Sequence, residues 1–90
     1  MLKISELNKN TFKITVSGNT TTHHEVIITD DVHLELTNDL VSKGVLLEFS
    51  FKFLLDREPN TSILPSFKIN FISQYFTEYS DEVRKWCNNE

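Results

Sequence analysis

Val45-Leu46-Leu47-Glu48-Phe49-Ser50-Phe51-Lys52-Phe53-Leu54-Leu55 decides how this chain must fold. Its charged side chains, Glu48 and Lys52 with Asp56 just beyond, recur every four residues, so on a helix they stack in one ridge. Leu46, Leu47, Phe49, Phe51, Phe53, Leu54 and Leu55 take the rest of the wheel, an arc of roughly 240° at about 100° per residue. An ordinary surface helix carries an apolar stripe of roughly 100°. A helix this apolar needs cover on most sides, from its own chain or from a partner. Ser42 is placed to cap its start, and the helix is expected to run to about Arg57 or Glu58 and stop before Pro59.

Upstream, the pattern has the period of strands. Leu2 and Ile4 alternate with Lys3 and Ser5, and Asn8-Lys9-Asn10 reads as a turn. Thr11 to Ser17 is the clearest strand, with Phe12, Ile14 and Val16 on one face and Lys13, Thr15 and Ser17 on the other. Ser17-Gly18-Asn19-Thr20 supplies a turn, with Gly18 or Asn19 expected to take a positive φ. Thr21 to Thr29, rich in β-branched residues, returns as a third strand. Thr29-Asp30-Asp31 suits a helix start, whereas the alternation of Val32-His33-Leu34-Glu35-Leu36 suits equally a fourth strand.

Downstream, Ile72, Tyr75 and Phe76 have helical spacing, which predicts a short helix from about Asn70 to Phe76. Ser80-Asp81-Glu82 is read as the cap of a last helical turn or two that docks Val83 and Trp86, followed by a frayed end at residues 88–90. The fold class expected is α+β: a single domain over 1–90, an N-terminal three-stranded antiparallel meander, then three to four helices packed on one sheet face.

Composition narrows the function classes. An apolar fraction of 39% with 24% charged residues suits a packed domain, and seven Phe with two Gly and two Pro suit a core with few irregular turns. One cysteine, Cys87, cannot form an internal disulfide, and neither a signal-peptide pattern nor an 18-residue apolar run occurs. The chain therefore reads as cytoplasmic. A net charge of -4 with scattered lysines opposes general nucleic-acid affinity.

Phe12-Lys13-Ile14-Thr15-Val16, His24-Glu25-Val26-Ile27-Ile28, Ser50-Phe51-Lys52-Phe53-Leu54-Leu55-Asp56-Arg57-Glu58-Pro59-Asn60-Thr61-Ser62-Ile63-Leu64 and Ile72-Ser73-Gln74-Tyr75-Phe76-Thr77-Glu78-Tyr79 together resemble a family of small bacterial proteins of uncharacterised function. The stretch from Ser50 to Leu64 is the most specific part. This chain departs from that pattern at Thr77, where members usually carry Pro, and near Lys43-Gly44, where they tend to have a Pro-Glu-Glu-type helix start. The resemblance implies helix for Asp30 to Leu36. It implies no activity, cofactor or binding residue.

The residues offer little catalytic chemistry. His23 and His24 are adjacent in a strand and point to opposite faces, so they cannot share a metal directly, and strand-surface histidines are expected. Cys87, near the chain end, reads as an inert, partly buried thiol. Gly18 and Gly44 are too far apart for a phosphate loop, and scattered acids give no preorganised site. Catalytic, cofactor and metal residues are accordingly expected to be none. The expected function is a non-catalytic protein-interaction module, self-associating through helical apolar surface. The partner-binding candidates are Phe49, Phe53, Arg57, Glu58, Tyr75 and Glu78, and the partner is a second copy or another protein. The alternative is a small regulatory nucleic-acid-binding protein acting as a dimer.

Overall fold

A computed structural model describes residues 2–88. The chain is α+β. Strands β1 (Leu2–Glu6), β2 (Thr11–Val16) and β3 (Thr22–Ile27) run antiparallel in sequence order, and β4 (Ser66–Lys68) joins β3 in parallel. Helices α1 (Asp30–Thr37), α2 (Lys43–Leu55), α3 (Ile72–Tyr75) and α4 (Tyr79–Asn88) complete the order, with 3-10 turns at Asn60–Ser62 and Ile69–Phe71.

The local chemistry explains most boundaries. Asn8 Oδ1 accepts from the backbone N–H groups of Asn10 and Thr11, both at 3.0 Å, and so turns β1 into β2. The β2 alternation buries Phe12, Ile14 and Val16, and the register sets Val26 opposite Phe12 and His24 opposite Ile14 on that same face. Lys13, His23 and Glu25 occupy the other face and are exposed.

Helix wins over strand at Asp30–Thr37 because both ends are capped. The Thr29 side chain accepts from Val32 N–H at 3.3 Å, and Asp30 and Asp31 sit at the positive end of the dipole. At the far end Asn38 takes a left-handed conformation, and its N–H donates to Leu34 O at 2.7 Å. Asn38 and Asp39 are the two non-glycine residues of positive φ among those described, as suits short polar side chains.

Ser42 caps α2, accepting from Val45 N–H at 3.2 Å. The helix ends at Leu55, but Arg57 and Glu58 N–H still donate to Leu54 O at 2.9 Å. Its apolar arc is covered from several directions. Phe51 meets His24 of β3 and Phe67 of β4, with centroids 5.5 and 6.2 Å away. Phe53 meets Tyr79 edge-on at 5.3 Å, and Phe49 stacks on Trp86 at 4.4 Å. Leu55 shares a depression with Leu2 and Ile4 of β1. The Glu48–Lys52 pair, at 3.1 Å, stays exposed. Burying a ring such as Phe51 stabilises by roughly 1.5–3 kcal/mol, so several such rings on one helix make a large contribution to the core.

The structure corrects several expectations. The sheet has four strands and is mixed, because β4 returns to pair beside β3 after Pro65; Glu25 N–H donates to Pro65 O at 2.8 Å. Neither Gly18 nor Asn19 takes a positive φ. The β2–β3 connection spans residues 17–21, longer than the two-residue turn that requires one. The helix expected from Asn70 is a 3-10 turn followed by one α turn, and α4 starts at Tyr79 rather than after Ser80. His24 is a buried residue, at 3% exposure, not a surface histidine. Helix α4 reaches Asn88; the fraying expected at 89 and 90 lies outside the described residues. No described helix is long and apolar enough to cross a membrane.

Candidate functional site

The C-terminal end of α2 opens onto a groove of about 430 Å³. Leu54 forms its floor from α2, and the connection that follows contributes Glu58, Ser62, Ile63 and Leu64. Phe67 of β4, Phe71 of the second 3-10 turn, and Ile72, Tyr75 and Phe76 line the rest, with the Phe71 and Tyr75 rings meeting edge-on at 5.2 Å. Leu64 and Tyr75 stand at the rim, 43% and 67% exposed, whereas Ile63 and Ile72 are buried beneath. A concave, mainly apolar and aromatic surface with a few polar groups is the usual makeup of a binding site.

Hydrogen bonds fix the segments around the groove. His24 clamps the entry to β4: its Nδ1 lies 2.8 Å from Leu64 O and its Nε2 2.8 Å from Thr22 Oγ1. Asn60 Nδ2 donates to Thr20 O at 2.7 Å and to Thr22 Oγ1 at 3.0 Å, tying the 3-10 turn after Pro59 to the start of β3. On the other side, Ser50 shares a hydrogen bond with the buried Tyr79 hydroxyl and donates to Leu46 O at 2.7 Å. Burial pushes the Tyr79 phenol well above its ordinary range, with the Ser50 hydrogen bond acting the other way.

The six partner-binding candidates divide into two groups. Glu58 and Tyr75 line the groove. Arg57, Phe53 and Glu78 form a separate cluster: the guanidinium carbon lies 3.6 Å from the Phe53 ring centroid, Nη1 donates to Phe53 O at 3.0 Å, and Nε lies 3.4 Å from Glu78 Oε2. Phe53 is 6% exposed and Phe49 is half-buried against Trp86, so both rings have cover from their own chain. Ile63, Leu64, Phe67 and Phe71 belong to the groove and were not among the candidates. The apolar pair Ile63-Leu64 directly after the Asn60-Thr61-Ser62 turn was the available signal.

Metal chemistry has no assembled site: among the described residues no group of three His, Cys, Asp or Glu is placed to hold an ion. His23 lies 3.1 Å from Thr15 Oγ1 on the open sheet face, and His33 Nε2 lies 2.6 Å from Val41 O within the α1–α2 connection. Cys87 is a buried thiol, at 5% exposure. A second depression, between β1 and the Glu48–Lys52–Asp56 ridge, is lined by Leu2, Ile4 and Leu55 and holds the exposed Glu48–Lys52 pair. No family model, curated protein or solved structure matches the chain.

Proposed function

We propose that the chain is a non-catalytic protein-interaction module whose binding surface is the groove at the end of α2. One observation carries the reading: the apolar walls lie open between exposed Leu64 and Tyr75 while the Phe-rich face of α2 is covered within the chain. The proposed interaction surface includes Glu58 and Tyr75, and the greater cover over Phe49 and Phe53 favours it over those two rings. Arg57 and Glu78 flank it and hold the end of α2. The test is chemical-shift mapping of the full chain with N-acetyl-leucine amide and N-acetyl-phenylalanine amide. The expected outcome is that the largest shifts fall on Ile63, Leu64, Phe71 and Tyr75. Shifts centred elsewhere, or none at tens of millimolar, overturn the reading.

A second reading, a small regulatory nucleic-acid binder acting as a dimer, has one observation in its favour. Among the described residues, six of the nine cationic side chains pair with carboxylates, and the other three, Lys3, Lys13 and Lys68, are exposed on strands β1, β2 and β4. The register aligns Lys3 with Thr15 and Lys13 with Glu25, which places them with His23 on the sheet face away from the core. Glu25 lies among them and the net charge of -4 opposes it. Retention on single-stranded DNA at low salt that vanishes in a Lys3→Gln, Lys13→Gln, Lys68→Gln variant supports this reading, and absence of retention removes it.

A further inference from the structure

We infer that the groove takes a peptide segment in which a large apolar anchor is closely followed by Lys or Arg, with Glu58 as the counter-charge. This rests on reading the groove as a protein-binding surface and adds the chemistry of the partner. Glu58 is the one charged side chain in a wall otherwise made of apolar, aromatic and hydroxyl groups. It is half-buried, and its carboxylate has no hydrogen bond or ion pair among the described residues. The adjacent cation does not serve it: Arg57 is held over Phe53 and paired with Glu78.

Nothing in the fold calls for an acid at this point. Glu58 N–H still bonds to Leu54 O, so the side chain stands at the negative end of α2, where a cation is the favoured neighbour. An incoming Lys or Arg meets the carboxylate at the negative end of the helix dipole, while its apolar neighbour lies against Leu64 and the contacting Phe71 and Tyr75 rings. The open rim favours a length of chain over an enclosed small molecule, and β4, the last strand of the sheet, runs along the wall.

The experiment is a selection from a random 12-residue peptide display library on the full chain, followed by affinity measurement of synthetic winners. Binders that contact the groove are those weakened by Leu64→Gln or Tyr75→Ala, both at exposed positions. The expected result is enrichment of Lys or Arg within two positions of a large apolar residue. Glu58→Gln, and norleucine in place of the peptide cation, should each weaken binding about three- to tenfold at low salt, with the two losses not additive. Groove binders indifferent to Glu58→Gln overturn the cationic partner and leave the groove reading standing. Winners indifferent to Leu64→Gln and Tyr75→Ala, or no winners, overturn both.

Discussion

The Arg57 guanidinium rests 3.6 Å above the centroid of the Phe53 ring, one helical turn before it in the chain. The same side chain donates to Phe53 O and lies beside Glu78 and, at 5.9 Å, the Phe76 ring. One cation thus satisfies a carbonyl at the end of α2, roofs a buried ring and links α2 to the approach to α4. A planar fork does this in a way an ammonium cannot.

The ring and the carbonyl, not the ion pair, should dominate the energy of that link. Glu78 is about half exposed and its oxygen is 3.4 Å away, so the salt bridge is screened. Arg57→Ala should cost about 1–2 kcal/mol by urea unfolding, and Glu78→Gln under about 0.5 kcal/mol. Arg57→Lys should fall between them. Equal losses for Arg57→Ala and Glu78→Gln would show that the ion pair holds the corner.

Asp30 should govern acid stability. Its carboxylate lies 2.8 Å from both Lys43 Nζ and Lys9 Nζ, and Lys43 Nζ also donates to Asn10 Oδ1 and Lys9 O at 3.1 Å. The Lys43 hydrogen bond, then that of Lys9, lowers the Asp30 pKa to about 2, and the Lys9 ammonium is raised in return. A depressed acid stabilises the native state above its unfolded pKa of about 4 and loses that contribution as pH falls through about 2. Asp30→Asn should therefore lower the urea midpoint at pH 6 and converge with the parent near pH 2. A midpoint difference that is the same at both pH values would refute the linkage.

Tyr79 should govern the alkaline side with the opposite sign. Its phenol is buried, and its pKa is raised above the ordinary value of about 10. Stability is complete below about pH 10 and declines as pH rises toward the folded value, by up to about 1.4 kcal/mol per pH unit. Tyr79→Phe removes this dependence. Its cost near neutrality should be about 1 kcal/mol or less, because Ser50 keeps its bond to Leu46 O. Parallel stability curves for parent and variant between pH 9 and 11 would contradict it.

What the sequence disclosed, and what it hid, follows the range of the interactions. The α2 arc, the β2 alternation, the Asn8 turn and the Ser42 cap depend on residues within one or two turns of each other, and all stand in the structure. Strand β4 has three residues after a proline, too few for a period to register, and its partner in β3 is Glu25 to Ile27, far back in the chain. His24 looked like a surface residue because its satisfaction comes from Leu64 O, forty residues on. The groove was half visible for the same reason: Glu58 and Tyr75 drew notice as polar or aromatic residues near a helix end. Phe67 and Phe71 carry no such cue, since only the return of β4 beside β3 brings them to the groove.

Trp86 provides the test of whether α2 is covered by its own chain. It is the only tryptophan, and it stacks on Phe49 at 4.4 Å with the ring planes 19° apart. Phe49 stacks in turn toward Phe53 at 6.5 Å, so α4 closes the side of α2 next to the Glu48–Lys52 ridge. Trp86→Ala removes a large half-buried ring and should cost about 2 kcal/mol. Phe49→Ala should shift Trp86 emission to the red, because the indole loses its apolar neighbour while α4 remains docked through buried Val83 and Cys87. Uncovering Phe49 should also make the Trp86→Ala variant associate in sedimentation at concentrations where the parent does not. If the parent sediments as a dimer and Trp86→Ala dissolves that dimer, then Trp86 and Phe49 face a second copy and the intrachain cover is only part of the interface.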